Sequence, residues 1–166
     1  MNGIDTPPLI GDDHAAFVQG SVSIVAASCD AQRVPSIGRT TGCNVSPDRR
    51  RLTVFIAARQ APQLLADIGA SGRIAVVFSR PSTNRSLQLK GDDARVRPLA
   101  DGEPAIVARY VAAFGIEITP LGFGPEQART LFACTDGDLV AVDFTPMAAF
   151  EQTPGPNAGT SIPLPR

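Results

Sequence analysis

Apolar and polar positions along this chain change period several times, and each change marks an element. Asp12 and Asp13 precede Ala15, Ala16, Phe17 and Val18, a pattern that predicts a short helix N-capped by carboxylate and ending at Gly20. Val22, Ile24, Val25 and Ala26 predict a strand over 21–28. A turn at 30–32 leads into a second strand, 34–43, in which Gly38 and Gly42 permit bends. Ser46-Pro47-Asp48 breaks the chain before a third strand at 52–57. Pro62 then opens a helix over 62–68 with Leu64, Leu65 and Ile68 on one face, closed by Gly69 and Gly72.

The run 74–78 is continuously apolar, as in a strand buried on both faces, whereas 87–96 alternates in part, as in a half-exposed strand. Ile106, Val107, Tyr110, Val111 and Phe114 form the apolar stripe of a helix over 103–114. Another helix is predicted at 125–132, then a turn at Asp136-Gly137 and a last strand at 139–144. Residues 1–150 read as one domain, and 151–166 as a Pro- and Gly-rich, irregular tail. About six strands with helices inserted irregularly exclude a doubly wound sheet and favour an α+β, mainly β, barrel-like architecture.

Composition narrows the partners. A chain of 166 residues with 43% apolar and 19% charged positions can bury a core without staples. The formal net charge of -1 supplies no general attraction to nucleic acid or to an anionic membrane, so neither is expected as a partner. Lys90 is the single lysine, so an anion site must use arginine, backbone amides or a helix N-terminus. Cys29, Cys43 and Cys134 are widely spaced and predict neither a disulfide framework nor a zinc site. With no basic, apolar leader pattern beside Asp5, Asp12 and Asp13, the expected location is the cytoplasm.

Most motif-like features have a plainer reading. Gly122-Phe123-Gly124 lacks a third glycine and runs into Pro125, which suits a helix entry better than a dinucleotide loop. His14 is the single histidine, so neither a Ser-His-Asp triad nor a metal site is expected. Arg49-Arg50-Arg51 reads as a solvated charge run. Ser86 and Gln88 share one face of a strand at period two, as an outward polar face or a binding surface would.

The stretch 51–91 ends in Asn84-Arg85-Ser86-Leu87-Gln88-Leu89-Lys90-Gly91. Together with Pro35-Ser36-Ile37-Gly38-Arg39-Thr40-Thr41, it resembles the flavin-binding core of the pyridoxamine 5'-phosphate oxidase-like split barrels, over about a third of the chain. The resemblance implies an FMN-binding split β-barrel, antiparallel and Greek-key-like, with peripheral helices. It carries Arg39, Thr40 and Thr41 to the flavin, and Phe55 and Ile56 to the edge of its isoalloxazine. Arg59, Gln60 and Gln63 fall at the phosphate, and Arg85, Ser86 and Gln88 on the later flavin-touching strand. It also implies a homodimer with the flavin at the subunit interface.

Two positions depart from the pattern: the phosphate loop has no lysine, and Ser86 stands where the oxidases have glutamine. The leading expectation is an FMN-dependent oxidoreductase with an unknown small-molecule substrate and no assignable acid or base. A deazaflavin is an alternative cofactor. The other readings are a non-catalytic module holding flavin or haem, the latter ligated by His14, a cysteine or Tyr110, and a barrel with a vestigial site.

Overall fold

The computed structural model describes residues 7–135 and 137–165, so the expected turn at Asp136 lies outside the described residues. In chain order the first elements are α1 (Asp12–Val18), β1 (Ser23–Cys29), β2 (Pro35–Arg39), β3 (Cys43–Val45), β4 (Leu52–Ala57) and a 3-10 turn at Ala58–Gln60. They are followed by α2 (Pro62–Ser71), β5 (Ile74–Ser79), β6 (Ser86–Gly91), β7 (Arg95–Pro98) and α3 (Glu103–Glu117). A second 3-10 turn at Thr119–Leu121 leads to α4 (Pro125–Leu131), β8 (Leu139–Phe144), β9 (Ala148–Glu151) and β10 (Ser161–Ile162).

The strands form two antiparallel sheets, a six-stranded one in the order β10-β9-β6-β5-β1-β2 and a four-stranded one in the order β3-β4-β8-β7. Period-two alternation turns Ile24, Ala26, Val76, Phe78, Leu87 and Leu89 of the larger sheet inward against Leu52, Val54, Ile56, Val142 and Phe144 of the smaller. Phe55, Phe78 and Phe144 are among the largest fully buried side chains, each worth about 1.5–3 kcal/mol of transfer free energy.

Three corners pass the chain between sheets, and two of them divide segments expected as single strands. Thr40–Gly42 separates β2 from β3, and Gly42 takes the left-handed region at φ 104°, which a β-carbon would strain. Residues 92–94 separate β6 from β7, and Asp93 accepts the Thr145 amide and hydroxyl at 2.8 Å each. The third corner joins β8 to β9. Beyond it, β9 and β10 extend the larger sheet, so the tail expected to be irregular past 150 contains a strand pair.

Coverage differs from expectation as well. β4 is buried on both faces, because Phe55 and Ala141 on the outer side of the smaller sheet pack under Val107 of α3. β5, read as buried on both faces, alternates instead: Ile74, Val76 and Phe78 are buried, and Ala75, Val77 and Ser79 are half-exposed.

Local capping also differs. Gly11 is the N-cap of α1, while Asp12 and Asp13 lie in its first turn and pair with Arg49 and Arg85. Arg49 and Arg50 are therefore not a solvated run, since the second donates to the Pro7 carbonyl. α2 lies along β1 and β2, where a β-carbon on Gly38 would come within 2.9 Å of Ala61 Cβ and Leu64 Cδ2.

Candidate functional site

Antiparallel register sets one row of side chains across the outer face of the six-stranded sheet: Arg39, Val25, Val77, Gln88 and Phe150. Adjacent strands are about 4.8 Å apart, so Arg39 and Gln88 stand ~14 Å from each other on one shelf. The row beside it is Ile37, Ala27, Ala75, Lys90 and Ala148. Ile37 is 72% exposed, and Val25, Ala27, Ala75, Val77, Gln88 and Phe150 are half-buried. Small alanine and valine side chains make the middle of this shelf flat and apolar, with polar groups at its margins.

Those margins are ordered by hydrogen bonds. Arg39 Nη1 donates to Ser23 Oγ at 3.4 Å. The Ser79 and Ser86 hydroxyls lie 2.7 Å apart, and Ser86 also donates to the Asn84 carbonyl at 3.0 Å. The Ser86 amide donates to Thr153 Oγ1 at 2.9 Å, and Gln152 Nε2 reaches Gln88 Oε1 at 3.5 Å. Lys90 Nζ sits 4.7 Å above the Phe150 ring, a cation–π contact. Thr153 also donates its amide to Glu151 at 2.8 Å, and hydrogen bonding from the Thr153 side chain first, then its amide, holds the Glu151 carboxyl below its usual value. Phe150, Gln152 and Thr153 were missed by the sequence reading, because β9 spans four residues and runs into the Pro-rich stretch that dominated the pattern.

The remaining residues expected at the site sit elsewhere. Thr40 and Thr41 are buried in the first corner, their amides donating to Ile24 and Phe55 carbonyls at 3.0 and 2.7 Å. Phe55 and Ile56 are fully buried core residues, one beneath α3 and one between the sheets, so neither side chain faces the open shelf. Arg85 lies 4.3 Å over the Phe17 ring and pairs with Asp13, which docks α1 onto the β5–β6 hairpin. Gln63 donates to Asp67 at 2.8 Å, and Ser36 donates to the same buried carboxylate at 2.6 Å.

Arg59 and Gln60 are together in the 3-10 turn after β4, bonded to the loop that precedes β8. The Arg59 amide donates to Asp138 Oδ1 at 3.1 Å, and Gln60 Nε2 donates to the Ala133 carbonyl at 2.8 Å. Among haem ligands considered from sequence, Tyr110 and Cys43 are unsuitable. The phenol donates to the Val22 carbonyl at 2.8 Å, and burial pushes both groups well above their ordinary values.

One ionic cluster lies outside these regions. Arg97 holds Asp143 through Nε at 2.6 Å and Nη2 at 3.0 Å, and Glu103 at 2.8 and 2.6 Å. Thr53 adds a bond to Asp143 at 2.7 Å, so the cluster ties β4, β7, β8 and α3 together. Hydrogen bonding to Glu103 first, then Asp143, pushes Arg97 above its ordinary value, and Arg97 holds the Glu103 carboxyl below its own. Every member is satisfied by another, which is the behaviour of a structural tie.

Chemically, the shelf offers a flat apolar surface with amide, hydroxyl and guanidinium groups at its edges. That donor set suits a planar heteroaromatic ring. It does not suit a phosphate at the α2 end, because Arg59 amide, Gln60 and Gln63 are already used by Asp138, Ala133 and Asp67. Among the described residues no group of three or more metal-ligating side chains converges, and no helix is long and apolar enough to cross a membrane.

No family model matches the sequence, and no curated protein matches it either. Solved structures do. HupZ of Group A Streptococcus aligns with a TM-score of 0.53 at 14% identity, covering 90% of this chain and 99% of that one. An F420 reductase aligns at 0.54 and 14% identity, covering 84% and 98%. A candidate pyridoxamine 5'-phosphate oxidase from Lactobacillus delbrueckii aligns at 0.50 and 14% identity, covering 90% and 99%. The likeness is one of fold.

Proposed function

From the pyridoxamine 5'-phosphate oxidase-like split-barrel fold that this chain has, we propose a homodimeric, cytoplasmic oxidoreductase that holds a flavin or deazaflavin ring on the outer face of its six-stranded sheet. The observation that carries this reading is the flat row Val25–Val77–Gln88 flanked by Arg39 and Phe150, half-buried and without a covering helix among the described residues. Val25 and Val77 would pack against the ring face, Gln88 and Arg39 would fix its polar edge, and Ser86 with Gln152 would close one side. A second protomer would cover the exposed Ile37 and Met147 and exclude water from the ring.

A bound flavin supplies two-electron chemistry itself, so the protein's share is position, shielding and electrostatics. That division agrees with a shelf whose hydroxyls at Ser79 and Ser86 bond to each other rather than to an imidazole.

A visible absorption spectrum of the purified protein, taken as isolated and after incubation with riboflavin or FMN and desalting, tests the reading. Retained flavin bands, bleached by a reductant and restored by air, are expected. Protein that stays colourless with both ligands removes flavin from the account, and a Soret band as isolated would transfer the shelf to haem.

A further inference from the structure

Asp138 stands beside the 3-10 turn Ala58–Gln60 that leads into α2, the loop that the resemblance assigns to a phosphate. Its carboxylate accepts the Arg59 amide, with Oδ1 at 3.1 Å and Oδ2 at 3.4 Å, and its carbonyl accepts the Ala58 amide at 2.9 Å. Arg59 Nε lies 3.7 Å from the same Oδ1. The Asp138 side chain is 7% exposed while that of Arg59 is 77% exposed, so the negative charge lines the wall and the positive charge stands in water. Gln60, bonded to Ala133, fastens the other end of the loop. The cleft they enclose measures about 420 Å³ and is also lined by Thr135 and Cys134.

We propose that Asp138 is a built-in anion that makes this chain select flavin-type ligands whose side chain ends in a hydroxyl rather than a phosphate monoester. This rests on the ring-binding reading above. A phosphate monoester carries close to two negative charges at neutral pH and seeks backbone N–H donors at a helix start. Here the Arg59 amide, in the turn before α2, is engaged, and a like charge in the wall of the same cleft raises the energy of a second anion. The exposed Arg59 guanidinium offsets little of this, since ion pairs in water are weak. A hydroxyl has the opposite preference: it donates to the carboxylate, a charge-assisted bond stronger than a neutral one. The chain's departures from the resemblance agree, because the phosphate loop lacks lysine and Gln63 is bonded to Asp67.

The experiment compares the wild type with Asp138→Asn, which keeps an oxygen acceptor for the Arg59 amide and removes the charge. Riboflavin and FMN are titrated calorimetrically, and inorganic phosphate is titrated in parallel while the Arg59 and Gln60 amide resonances are followed. Wild type is expected to bind riboflavin at least as tightly as FMN, with both amides unmoved by phosphate. Asp138→Asn is expected to gain about tenfold for FMN with riboflavin unchanged or weaker, and to show phosphate-dependent shifts at Arg59. Tenfold tighter FMN than riboflavin in the wild type overturns the proposal, as do phosphate shifts in the wild type or an unchanged variant. If neither flavin binds the wild type, the ring reading fails alone. The phosphate titration then decides the role of Asp138.

Discussion

β4 and β5 are both six-residue apolar strands at the centre of their sheets, and they end in opposite situations. In β4 the outward residues Thr53, Phe55 and Ala57 are sealed by α3 and the Arg97 cluster. In β5 the outward residues Ala75, Val77 and Ser79 stay half-exposed. The difference teaches that apolar character on a strand's second face reports that something covers it, without reporting whether the cover comes from the same chain. The sizes agree with the two covers. A phenyl ring interdigitates with helix side chains, whereas alanine and valine leave a plane that suits a ring or another sheet.

The largest test of that contrast is truncation of the covered strand. Phe55→Ala is expected to lower unfolding free energy by about 3–5 kcal/mol, read from the urea midpoint. Val77→Ala should cost about 1 kcal/mol or less in the ligand-free monomer. Equal losses would mean that the two strands are covered alike.

Arg97→Met sharpens the account of what seals the smaller sheet. It leaves Glu103 and Asp143 facing each other without a counter-charge, an expected loss of about 3 kcal/mol at pH 7. Glu103 is held below its unfolded value of 4.5, mainly by the Arg97 hydrogen bond. Its contribution is therefore complete above about pH 4.5 and is lost as pH falls through the lowered folded value. Thermal melts should show a wild-type advantage that is steady from pH 7 to 5 and narrows on further acidification. An advantage that widens in acid would contradict the assignment.

Gly38→Ala probes the edge where α2 lies against β2. Its new methyl would sit 2.9 Å from Ala61 Cβ and Leu64 Cδ2, for an expected loss of about 1–3 kcal/mol by overpacking. The outer shelf should be unaffected, so riboflavin affinity of the folded fraction should remain at the wild-type level.

The order of elements was legible because period changes and Gly or Pro breaks fall close to their boundaries, as at Pro62, Gly72 and Pro125. The two split strands were not legible as splits, since Gly42 was read as a bend within one strand and 92–94 carry no glycine or proline to mark the break. At the candidate site, Ser86 and Gln88 could be placed on one face from alternation alone, whereas Arg39 was named by the resemblance and joins their face only through the registers of β2, β1, β5 and β6. The partners that bind up Arg59 and Arg85 could not be placed, because Asp138 and Asp13 are 79 and 72 positions away from their arginines.

Side-chain NMR during a riboflavin titration tests the central claim most directly, with the two sheets as each other's control. The account predicts shifts in the Val25 and Val77 methyls and the Gln88 side-chain amide, while the Val54 and Ile56 methyls remain in place. Shifts confined to the smaller sheet, or saturation with no change on the Val25–Val77–Gln88 row, would contradict it.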